Sequence, residues 1–132
     1  MTEAEALELT LLASGNGVTS FSVYITVTFG YLAAAYFTGK NLTTSQALIV
    51  SALYIVSALS ALLNLLSDNA FYEAALIHAP TLAPKNALVE VELWNTYMTI
   101  LLSAGIIASL YFMWTVRNAK AEESTADRNP KL

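Results

Sequence analysis

Residues 41–67 read NLTTSQALIVSALYIVSALSALLNLLS, a run of 27 residues between Lys40 and Asp68 without one charged side chain. A hydrocarbon layer ~30 Å thick is crossed by roughly 20 helical residues. The run is therefore long enough to span with turns to spare. Two further charge-free runs flank it, 31 residues between Glu8 and Lys40 and 24 between Glu92 and Arg117. Three such runs in a chain of 132 residues leave too little polar sequence to cover them in water. The expected fold is all-α: an integral membrane bundle of three transmembrane helices, with spans near 18–38, 44–66 and 91–116.

Composition agrees. Apolar residues make up 56% and charged residues 12% of the chain, where soluble domains carry roughly 25% charge. Six Lys and Arg against ten Asp and Glu give no basic footprint for nucleic acid. Cysteine is absent, which excludes disulfides, thiolate metal sites and thiol catalysis.

Punctuation between the runs sets the topology. Gly39-Lys40-Asn41-Leu42 is a tight connection, and Thr43 with Gln46 three residues on predicts a capping box at the start of the second helix. The first two spans should then form an antiparallel hairpin. Thr2 and Glu5 make a similar pair, so residues 2–13 read either as a short interfacial helix or as a frayed tail. Ser14-Gly15-Asn16-Gly17 is expected to break the chain there, making 1–16 an extracytoplasmic segment apart from the 17–116 transmembrane domain.

Ser67-Asp68-Asn69 marks the exit of the second span. A short interfacial helix near Phe71, Tyr72, Leu76 and Ile77 is expected to end at His78-Ala79-Pro80, and Pro84 forbids a continuous helix. Trp94 and Tyr97 at one end of the third span, and Tyr111 and Trp114 at the other, suit the two membrane interfaces. Residues 117–132 read as a polar, disordered tail.

Positive charge fixes orientation. With the N-terminus outside, Lys40, Arg117, Lys120, Arg128 and Lys131 lie in the cytoplasm and Lys85 alone lies outside. The N-terminal segment has no positive region like that of a cleaved signal peptide. A bacterial inner membrane is the expected setting. Asn41-Leu42-Thr43 matches a glycosylation sequon, but a tight cytoplasmic loop against the membrane makes it an empty match. The terminal Pro130-Lys131-Leu132 lacks the small residue that a peroxisomal signal needs.

Helix faces suggest where protein meets protein. On the second span, Tyr54, Ser57, Ser60, Ala61 and Asn64 share a side opposite Leu48, Ile55, Leu59, Leu62 and Leu66. Lipid rewards the aliphatic side, so the first set should pack. The first span carries a seam of small residues at Thr19, Ser22, Thr26, Gly30 and Ala33, with Tyr24 and Tyr31 on a neighbouring face. The third carries Ala104, Gly105, Ala108 and Ser109, and a separate stripe of Glu92, Thr96, Thr99 and Ser103. Two surfaces on the third span either serve its own two neighbours or leave one for another molecule.

Candidate chemistry is sparse. Glu92 could open a polar, cation-attracting path past Thr96, Thr99 and Ser103; the plainer reading has Glu90 and Glu92 complementing a helix N-terminus. His78 is the one histidine and cannot build a metal site within one chain. Asn64 suits an interhelical hydrogen bond. The hydroxyls of Tyr24, Tyr31, Tyr36 and Tyr54 invite a quinone or pigment, but packing with bonded tips is the simpler account, and no cofactor is expected.

Length and topology resemble those of the small bacterial sugar-transporter halves. The Pro-Gln pair of that group is missing, no span contains proline, and the resemblance stops at topology. The expected function is a non-catalytic membrane protein, not an enzyme, in contact with the lipid bilayer. It is either a homo-oligomer or an accessory subunit of a larger membrane complex. The alternative is a small oligomeric channel or transporter with a hydroxyl-lined path.

Overall fold

The computed structural model describes residues 2–82 and 91–128. Three long helices account for nearly all of them: α1, Glu3–Thr38; α2, Thr44–His78; and α3, Val91–Arg128. A short 3-10 turn, Pro80–Leu82, follows α2. All three are long and apolar enough to cross a membrane. Pro84, Lys85, Glu90 and Lys131 lie outside the described residues.

Both capping boxes form. Thr2 Oγ1 accepts from the Glu5 N–H, and the Glu5 carboxylate accepts from the Thr2 N–H at 2.8 Å. Thr43 and Gln46 repeat the arrangement at the start of α2. Between the helices the chain turns at Gly39, whose φ of −55° is ordinary right-handed backbone. Glycine is needed here for room: a Cβ would run into the Ala35 carbonyl and come within 3.2 Å of Val116 Cγ1.

α1 and α2 pack along their whole length. Buried positions on α1 fall at Ala6, Ala13, Tyr24, Tyr31 and Ala35, and on α2 at Ala47, Tyr54, Ala58, Ala61, Leu62 and Ala75. Most successive spacings are sevens, threes and fours, the repeat that holds one seam against a partner helix. Register is constant. Tyr31 meets Ser51, Thr28 meets Tyr54, and a Cβ on Gly17 would lie 3.6 Å from Leu65, the two residue numbers adding to the same total each time. α3 touches the hairpin less extensively, burying Leu102, Ile106, Ser109 and Met113.

Three expectations are corrected. No separate interfacial helix precedes the first span, because α1 runs unbroken through Ser14-Gly15-Asn16-Gly17. Each glycine costs a helix about 1 kcal/mol, and burial of Ala6 and Ala13 on the same face holds the strip of α1 preceding them in place. Likewise α2 continues through Ser67-Asp68-Asn69 to His78, so the segment around Phe71 is part of the second helix. Asp68 and Asn69 are only half-buried, and a helix can carry them beyond the hydrocarbon. Finally, α3 stays helical from Arg117 to Arg128 where a disordered tail was expected. Ala119-Lys120-Ala121-Glu122-Glu123 is a run of strong helix formers.

At 1.5 Å per residue these helices are about 52–57 Å long, well beyond the ~30 Å of hydrocarbon. Their ends therefore project from the bilayer or the helices tilt.

Candidate functional site

The core is built around tyrosines. Tyr31 and Tyr54 stack across the hairpin with ring centroids 4.2 Å apart and planes 11° from parallel. Alanines at positions 35, 58 and 61 keep the backbones close enough for the rings to overlap. A phenol carries a polar tip, and leaving it unbonded in hydrocarbon costs several kcal/mol. Each tip is satisfied. Tyr31 Oη and Ser51 Oγ are 2.8 Å apart, and Tyr54 Oη and Thr28 Oγ1 are 3.3 Å apart. Tyr24 donates to the Leu102 carbonyl at 2.6 Å, tying α1 to α3.

That last bond explains Gly105. A Cβ there would lie 2.5 Å from the Tyr24 hydroxyl oxygen. The small residue on α3 is thus the counterpart of a large one on α1.

Polar latches close the two ends. Arg117 donates to the Leu42 carbonyl at 2.8 Å, the Thr43 carbonyl at 3.4 Å and Thr44 Oγ1 at 3.3 Å, fixing α3 to the α1–α2 turn. At the opposite end Asn95 Nδ2 donates to Glu73 Oε1 at 3.1 Å. Asn95 Oδ1 is buried without a partner among the described residues.

The residues singled out from the sequence divide sharply. Tyr54 and Ala61 are buried, Ser57 and Gly105 half-buried, and Asn64, Ser60, Ala104 and Ala108 exposed. Leu62, placed on the lipid side by its helix wheel, is buried, and Ile55 and Leu66 pack against the core. The packed face of α2 is thus turned roughly 80° from its polar face at 100° per residue. Thr19, Ser22, Thr26, Gly30 and Ala33 are all exposed: the α1 seam is not packed against α2 or α3, and Ala33 at its end lines the groove on the α3 side. On α3, Glu92 and Thr96 are exposed, whereas Thr99 and Ser103 are half-buried.

One physical fact underlies these placements. A short hydroxyl in a helix can bond the carbonyl four residues back. Thr19, Ser22 and Thr26 do so on α1, at 3.0, 2.9 and 2.8 Å, and Thr96 and Thr99 do so on α3. Such side chains need no partner across the interface. Tyrosines do, and they decide the packing. Sequence reading missed Ala58, Leu102, Ile106 and Met113 as core; their spacing on α3 was a usable signal.

Between α1 and α3, near the turn end, an open groove of about 470 Å³ is lined chiefly by Phe29, Leu32, Tyr36, Phe37, Ala108 and Phe112. Its walls are almost wholly apolar. The fold and these contacts define a three-helix bundle with the character of a membrane protein. Compared with known protein families, curated proteins and solved structures, the chain gives no match.

Proposed function

We propose that this chain is a non-catalytic integral membrane protein that assembles with further copies of itself through the outer face of α1. The observation that carries the proposal is the exposed seam Thr19, Ser22, Thr26, Gly30 and Ala33, whose bonded hydroxyls leave a smooth surface. Small residues at spacings of three and four let helix backbones approach closely in lipid. The chain also exposes 9391 Å², against roughly 6,800 Å² for a compact protein of its mass. Long helices and a thin core produce that excess, and other helices can cover part of it.

The positive-charge bias supports an N-terminus outside and a C-terminus in the cytoplasm, in a bacterial inner membrane. A channel is the rival reading. Glu92 and Thr96 are exposed, so a hydroxyl-lined path would form between copies rather than within one.

Native mass spectrometry of the protein released gently from its membrane tests the assembly. A second copy is expected in the wild-type mass and not in Gly30→Leu. Open space surrounds Gly30 within the chain, so the variant spares the monomer. A monomeric wild type, or a mass made of other subunits only, overturns self-assembly; the second result makes the chain an accessory subunit.

A further inference from the structure

The groove between α1 and α3 lies toward the end of the bundle that carries Lys40, Arg117 and Lys120. On α1 its wall runs through Phe29, Ala33, Tyr36 and Phe37, and three or four residues on from Tyr36 and Phe37 comes exposed Lys40. On α3 its wall runs through Ala108, Ser109 and Phe112. Lys120, also exposed, lies three helical turns beyond Ser109 and about 20° round the helix from it, and about 80° from Phe112. Gly39 and Val116 approach each other between these two lysines, which sets Lys40 at the level of Arg117. Arg117 stands behind them with its three hydrogen bonds all made to neutral oxygens. Those bonds orient the guanidinium, and among the described residues no carboxylate pairs with it.

Acids are few here. The hairpin has none between Glu8 and Asp68, and on α3 the first after Arg117 are Glu122 and Glu123. Both are exposed, more than a turn beyond Arg117 but only two and three residues beyond Lys120, where water and salt screen them. Lysines at this depth bury their stems along apolar surface and lift their charges to the headgroup layer.

We infer that this groove and its three cations form a binding site for one anionic phospholipid. An acyl chain lies against Phe29, Phe37 and Phe112, and the phosphate sits between Lys40 and Lys120 with Arg117 behind. A zwitterionic lipid fits the groove equally well but brings its own cation to the lysines, so the site discriminates by charge. Juxtamembrane cations are drawn to anionic headgroups at the membrane surface, and the charge bias places these residues on the cytoplasmic side. The inference rests on the membrane reading and not on self-assembly.

The test is native mass spectrometry of the full chain with added phosphatidylglycerol or phosphatidylethanolamine. One retained phosphatidylglycerol per chain is expected, at far higher occupancy than phosphatidylethanolamine. Lys40→Gln with Lys120→Gln should weaken it roughly thirtyfold, from two cations near an anionic surface. Arg128→Gln, further along α3, should leave it unchanged. Ala108→Phe, which fills the groove, should remove both lipids. Equal retention of the two lipids overturns the site, as does phosphatidylglycerol binding that survives the double lysine variant. If inorganic phosphate displaces the lipid and Ala108→Phe has no effect, the cations hold a free anion and the groove is not involved. If the wild-type groove is covered by a second copy, a dimer free of lipid will appear and overturn the proposal. The seam and the groove share Ala33, and the same spectra show oligomer mass separately from lipid mass, so the failure of one proposal is distinguishable from the failure of the other.

Discussion

The phenol of Tyr24 fills the space that a side chain at Gly105 would need: a Cβ there would lie 2.5 Å from the hydroxyl oxygen but 3.7 Å from the ring carbon that bears it. The conflict therefore belongs to one oxygen atom. Overpacking a tight interface costs about 1–3 kcal/mol, and Gly105→Ala should destabilise by that amount. Tyr24→Phe should cost about 0.6 kcal/mol, the average for a hydrogen bond between membrane helices. Combined, the two should destabilise less than the sum of the singles, because the phenylalanine clears the new methyl. Reversible unfolding in mixed micelles measures all three; strict additivity would refute the pairing.

The Tyr31–Tyr54 stack makes a second prediction. Tyr54→Phe keeps the stacked ring and loses only a long contact to Thr28, so it should cost under about 1 kcal/mol. Tyr54→Ala removes the ring from the centre of the hairpin and should cost about 3–5 kcal/mol. Similar losses for the two variants in the same unfolding assay would show that the hydroxyl, not the ring, carries the interaction.

Arg117 supplies a third. Its fork spans two carbonyls and a hydroxyl at once, which a lysine ammonium cannot reproduce. Arg117→Lys and Arg117→Gln should both loosen the turn end of α3 from the hairpin. Spin labels at positions 41 and 118 should report a broader distance distribution in either variant. A distribution as narrow as that of the wild type in Arg117→Gln would mean that Val116 packing against Gly39 suffices.

Orientation is tested on intact cells. A cysteine replacing Glu5 should react with an impermeant maleimide from outside, and one replacing Lys120 only after lysis. The opposite pattern inverts the topology.

How much of this was legible in the sequence depended on the range of the forces involved. The three spans follow from charge-free length, and the caps at Thr2 and Thr43 from contacts three residues apart; both are local. Continuity of α1 through Gly15 and Gly17 is not local, since it depends on the neighbouring helix that Gly17 faces at Leu65. The rotation of α2 was hidden for another reason. A wheel treats Ser60 and Tyr54 as alike in polarity, yet a serine can satisfy itself within its own helix while a tyrosine must reach another. The helix beyond Arg117 could have been read from its Ala, Lys and Glu content; polarity alone was the wrong criterion.

The constant register between α1 and α2 has an evolutionary corollary. Deleting one residue anywhere in α1 turns everything beyond it by about 100°, taking Tyr31 away from Tyr54 and the seam away from its outward position together. Deleting seven restores the faces but shifts the partners. Homologous chains should therefore vary freely in side chain along the lipid-facing sides and scarcely at all in the number of residues per helix.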